Sequence, residues 1–100
     1  MATERRWFVE DVPACFAPIA ELADKHGYVA CLFGSVVKSG EGRDLDVMMV
    51  SRFRQSQDYH KFLAEFGGTV ERTFQRPERL NHSYEVSKDG RLYHFIFGRF

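Results

Sequence analysis

The sequence has no excess of charge of either sign: 14 Lys and Arg balance 14 Asp and Glu, for a formal net charge of zero over 100 residues. Broad electrostatic attraction to nucleic acid or to an anionic membrane surface is therefore not expected, which leaves only a local basic patch to attract phosphate. Long hydrophobic runs are missing too. No apolar stretch approaches the roughly 20 residues that a membrane-spanning helix needs, and the start, MATERRWFVED, lacks the apolar core of a secretory signal. A cytoplasmic protein without membrane association is expected. Cysteine is scarce: Cys15 and Cys31 have no CxxC spacing, make neither a disulfide framework nor a zinc site, and read as reduced, buried small hydrophobes. Internal repeats, low-complexity segments and interdomain linkers are also lacking.

What is present is core material. Hydrophobic residues make up 44% of the chain and aromatics 15%, ten of them Phe, enough for one domain over residues 1–100 that buries roughly two-thirds of its unfolded surface. Residues 1–9 carry mixed signals and are left unassigned. Asp11 as N-cap, Pro13 in a first turn and the apolar stripe Phe16, Ile19, Ala20, Leu22, Ala23 predict a helix closed by Gly27, with Pro18 imposing either a kink or a start near Ala17. YVACLF, residues 28–33, reads as a central strand, and Gly34 ends it. Ser35 is expected to cap a short helix of Val36, Val37 and Lys38, and Glu41-Gly42-Arg43 to close the following loop.

DLDVMMV reads as a buried strand, and residues 51–57 as its polar, basic exit loop. Tyr59, Phe62, Leu63 and Phe66 lie at helical spacing, with Ser56 or Asp58 as cap and Gly67-Gly68 as stop. TVERTF alternates like a strand, Gln75–Asn81 reads as a polar connection, and SYEVSKDGRLYHFIF reads as a hairpin about Asp89-Gly90. The order β-α-β-α-β-β-β implies an α+β domain, a sheet with two main helices on one side.

The chemistry concentrates in CLFGSVVKSGEGRDLDVMMV, residues 31–50. Side chains alternate along a strand, so Asp44 and Asp46 share one face while Leu45 and Val47 take the other. Two carboxylates side by side repel each other unless a cation lies between them, and hard oxygen ligands suit Mg²⁺. Gly34 allows a backbone conformation that other residues resist. Free amides after it, with Lys38 one turn on, suit an anion such as phosphate.

A hydrophobic strand, Gly34-Ser35, a short spacer, Asp44-Leu45-Asp46 and a hydrophobic continuation together resemble the signature of the DNA polymerase beta-like nucleotidyltransferases, and the small size resembles their minimal type. The resemblance covers residues 28–50 and elsewhere only the order of elements. It implies a mixed sheet of the polymerase beta palm type, Gly34, Ser35 and Lys38 on nucleotide phosphates, Asp44 and Asp46 on Mg²⁺, and transfer of a nucleoside monophosphate from a triphosphate to an acceptor with release of pyrophosphate. The acceptor is a protein, a small molecule or RNA. A helical protein partner, as in two-component toxin–antitoxin pairs, or a homo-oligomer is implied, whereas nucleic acid is not favoured. Family members usually add an acceptor-binding helical domain, which leaves open that these residues are a piece of a longer protein.

The resemblance also calls for a third carboxylate on a later strand. Glu71 and Glu85 are the strand carboxylates available, with Glu85 taken as the third metal ligand. By position His94 stands where the antibiotic-modifying members carry an Asp, so a histidine is the other candidate. A two-residue turn at Asp89-Gly90 would pair Lys88 with Arg91, Val86 with Tyr93 and Glu85 with His94, and a bulge at Gly90 would separate that last pair. Paired, Glu85 and His94 either join Asp44 and Asp46 in a catalytic site or form an exposed cross-strand ion pair. His26, His60 and His82 lack ligand spacing, Arg52, Arg54, Arg76 and Arg79 read as solvated surface, and Met48 and Met49 as packing. The missing third Asp motivates a competing reading, a catalytically degenerate module that keeps the fold to bind nucleotide or a protein.

Overall fold

A computed structural model describes residues 6–52, 59–76 and 81–98. The chain forms β1 (Trp7–Phe8), a 3-10 turn (Val9–Asp11), α1 (Val12–Lys25), β2 (Tyr28–Phe33), α2 (Ser35–Ser39), β3 (Glu41–Gly42), β4 (Asp44–Ser51), α3 (Tyr59–Phe66), β5 (Thr69–Arg76), β6 (Asn81–Lys88) and β7 (Arg91–Gly98). Five strands make a mixed sheet in the order β2-β4-β7-β6-β5, in which β4 and β7 run parallel and the other neighbours antiparallel. β1 and β3 form a separate two-stranded ribbon. The α+β class and mixed sheet agree with the expectation.

Both main helices cover the same face of the sheet. In α1 the buried Val12, Ile19 and Ala23, with half-buried Cys15, Phe16 and Leu22 between them, form a stripe of helical period. In α3, Phe62 and Phe66 are buried and set their rings edge-on to Phe95 and Tyr93 of β7. Leu45, Val47 and Met49 of β4 and Tyr93, Phe95 and Phe97 of β7 meet them as one alternating set. Trp7 is also buried: its ring meets Tyr93 edge-on, its Nε1–H donates to the Leu92 carbonyl at 2.7 Å, and the Arg91 guanidinium lies over it. The N-terminal residues left unassigned by pattern are thus tied to the last strand.

Several local expectations change. α1 starts at Val12 and runs through Pro18, not from Ala17. Pro18 and Ala14, whose carbonyl loses its helical donor, are both exposed, so water can serve that carbonyl. β2 is an edge strand, not a central one, and Cys31 is exposed on it rather than buried. Gly34 is the N-cap of α2 and Ser35 its first helical residue, with no side-chain capping bond. Glu41-Gly42 is strand, paired with Trp7-Phe8, where a loop was expected. β5 extends to Arg76 and β6 begins at Asn81, which shortens the expected connection at both ends. The proposed α3 caps Ser56 and Asp58, and Arg54 and Arg79, lie outside the described residues.

Candidate functional site

β4 places Asp44, Asp46 and Met48, all half-buried, on the face opposite the helices. Its neighbours set the rest of that face by register. Asp46 stands beside Phe33 of β2 and beside His94 of β7, His94 beside Glu85 of β6, and Glu85 beside Arg72 of β5. One row of side chains thus crosses the whole sheet, with Asp46 and His94 at its centre. The row depends on the β6–β7 turn, where Asp89 (φ 54°) and Gly90 (φ 77°) both take positive φ, as a two-residue type I′ hairpin requires. Lys88 pairs with Arg91, so the expected register holds and no bulge separates Glu85 from His94.

His94 Nδ1 lies 3.0 Å from Asp46 Oδ1. That hydrogen bond, ahead of burial, which opposes it, and of the charges of Asp46, Asp44 and Glu85, raises the imidazole pKa above its ordinary value. The Asp44 carboxyl is also raised, first by burial and then by the Asp46 charge. Oxygen atoms of Asp44 and Asp46 and a ring nitrogen of His94 all lie within 4.8 Å of one another. Ligands at about 2.0–2.2 Å from one ion stand on the order of 3–4 Å apart, so the three residues are placed to share a metal. The two carboxylates fit a hard divalent cation such as Mg²⁺; the imidazole is a less usual Mg²⁺ ligand.

The remaining expected residues divide. Gly34 has φ +88° and ψ −164°, and a Cβ built there would overlap Asp46 Oδ2, so the Asp46 carboxylate rests directly on the Gly34 turn. Ser35 lies against Gly42, where a Cβ would come within 2.6 Å of Ser35 Oγ and 2.9 Å of Val36 Cγ2. The fully buried Val36 anchors this helix. Lys38 is exposed, and its backbone N–H donates to the Gly34 carbonyl at 3.0 Å, closing the single turn.

Glu85, expected as the third metal ligand, shares the row but is not in the group of Asp44, Asp46 and His94 that lies close enough to hold one ion. Its carboxylate accepts a hydrogen bond from Arg43 Nη2 at 2.9 Å. Glu71 sits at the irregularity between Val70 and Arg72 and accepts a hydrogen bond from Ser87 Oγ at 2.6 Å, away from the cluster. Among the described residues, His94 is the one grouped with Asp44 and Asp46.

Arg43 and Phe74 were not anticipated. Phe74 stands with its ring 6.4 Å from that of His94. The signal for Arg43 was its place immediately before Asp44, but its partner lies 42 residues on, across a strand order that no local pattern reveals. Among the described helices none is long and apolar enough to cross a membrane. No protein-family model and no curated protein matches the chain, so what it does must be read from Asp44, Asp46, His94 and their neighbours.

Proposed function

We propose that the protein is a metal-dependent nucleotidyltransferase whose centre is Asp44 and Asp46 on β4, with Mg²⁺ the cation that the sequence resemblance implies. The observation that carries this reading is the placement of two half-buried carboxylates side by side on the face opposite α1 and α3, one of them resting on the Gly34 turn. Such a pair repels itself; the Asp44 carboxyl is raised first by its burial and then by the neighbouring Asp46 charge. When bound, a cation supplies the positive charge that offsets the pair and the negative charge that builds on transferring phosphate.

In the reaction, an acceptor hydroxyl gives up its proton to water and its oxygen bonds to the α-phosphorus of a nucleoside triphosphate, while the bond from that phosphorus to the oxygen bridging to the β-phosphate breaks and pyrophosphate leaves. Asp44 and Asp46 would hold the cation, which would supply positive charge for the phosphate, while Gly34 and Ser35 offer close backbone approach and Lys38 adds a positive charge at the rim. Asp46 also holds the His94 ring in place through Nδ1. The acceptor is a protein, a small molecule or an RNA end, and a helical partner protein or a second copy is the expected companion. Incubation with labelled nucleoside triphosphates, Mg²⁺ and a cell lysate tests the reading. Label transfer that disappears in Asp46→Asn is expected, and no Asp46-dependent transfer counts against it.

A second reading has its own observation. The residue grouped with Asp44 and Asp46 is His94, already hydrogen-bonded to Asp46, where the resemblance calls for a carboxylate, and Glu85 is held by Arg43. A degenerate module that binds nucleotide or a protein without turnover accounts for both facts. Calorimetry separates the two: nucleotide binding without turnover favours the module.

A further inference from the structure

The row across the face opposite α1 and α3 contains a third oxygen donor that the cluster does not use. Glu85 stands beside His94 in the β6–β7 register, yet its carboxylate is engaged by Arg43, while His94 presents a ring nitrogen to the group formed with Asp44 and Asp46. Without metal the ring lies between Asp46 Oδ1, 3.0 Å from its Nδ1, and the Phe74 ring. The resulting donor set is two carboxylates and one imidazole. Mg²⁺ is a hard ion that takes oxygen ligands and keeps its waters, whereas Mn²⁺ and especially Zn²⁺ accept imidazole nitrogen alongside carboxylate.

We propose that Asp44, Asp46 and His94 form a site for a nitrogen-accepting divalent metal, holding Zn²⁺ and Mn²⁺ in preference to Mg²⁺, and that His94 sets this preference. The inference rests on the metal-site reading given above but not on the transfer reaction. Three protein ligands leave open positions on such an ion, so a nucleotide phosphate can complete its coordination.

Calorimetric titration of the full chain with ZnCl₂, MnCl₂ and MgCl₂ tests it, using wild type, H94D and D46N, each checked for folding by circular dichroism. Zn²⁺ and Mn²⁺ are expected to bind the wild type at least tenfold more tightly than Mg²⁺. H94D should narrow the Zn²⁺-to-Mg²⁺ affinity ratio at least tenfold, and D46N should lose all three ions. A ratio unchanged in H94D overturns the proposal, as does wild-type Zn²⁺ affinity in D46N, which would put the ion elsewhere, for example on the exposed Cys31. If H94D does not fold, Mn²⁺ broadening of the His94 ring proton resonances of the wild type decides: selective broadening supports the site and its absence overturns it. Narrowing in H94D without nucleotide transfer under any of the three metals sinks the transferase and keeps this inference. Transfer with Mg²⁺ and an unchanged ratio does the reverse.

Discussion

A methyl group added at Gly34 would fall on Asp46 Oδ2, on a backbone at φ +88° and ψ −164° that only glycine adopts readily. Gly34→Ala is therefore expected to lose on the order of 1–3 kcal/mol of stability and to displace the carboxylate, weakening metal binding, as denaturant unfolding and calorimetry would measure. Asp44 carries a cost of a different kind. Its folded-state pKa lies above the unfolded 3.8, so the folded protein binds that proton more tightly, and the advantage is lost as pH rises through the folded value. At neutral pH without metal the ionised group opposes folding. Asp44→Asn should then stabilise the metal-free protein at pH 7, by on the order of 0.5–2 kcal/mol, and the gain should shrink as pH falls below the folded pKa. A gain that persists unchanged at pH 3 would contradict this account.

At the scale of elements, α3 rests chiefly on Phe62, which is wholly buried and sets its ring edge-on to Phe95 and Phe97. Phe62→Ala is expected to cost about 3–5 kcal/mol, read as a fall in the denaturation midpoint, with the sheet registers around Asp46 retained in the folded fraction. The sequence was most legible where elements are local. Alternation put Asp44 and Asp46 on one face, the helical stripes of α1 and α3 stood out, and Asp89-Gly90 marked the hairpin but left two registers open, of which the one pairing Glu85 with His94 forms. It was least legible where distant segments meet. The β4–β7 pairing joins Asp46 to His94 across 48 residues, and the pairing of Trp7-Phe8 with Glu41-Gly42 joins two fragments too short to carry a pattern. Competition for Glu85 by Arg43 was invisible for the same reason, since it exists only once β4, β7 and β6 lie side by side.

For the whole molecule, the two helices and the sheet's buried face supply stability, while the opposite face carries groups whose charges must be neutralised. His94 contributes with a definite sign. Its pKa is raised above 6.5 on folding, so its stabilising contribution is fully present below about pH 6.5 and disappears as pH rises through the folded value. With a chelator present, wild type should lose stability relative to His94→Gln across that window, and parallel profiles for the two would contradict the assignment. The strand order carries a consequence for synthesis. β7, central in the sheet, follows every other described strand in the chain. On the ribosome, β2 and β4 can pair early, but the inner edge of β4 stays open until residues 91–98 emerge. Until that segment is free to insert, the nascent chain therefore has an unpaired strand edge and no Asp46–His94 contact, and aggregation risk is greatest then.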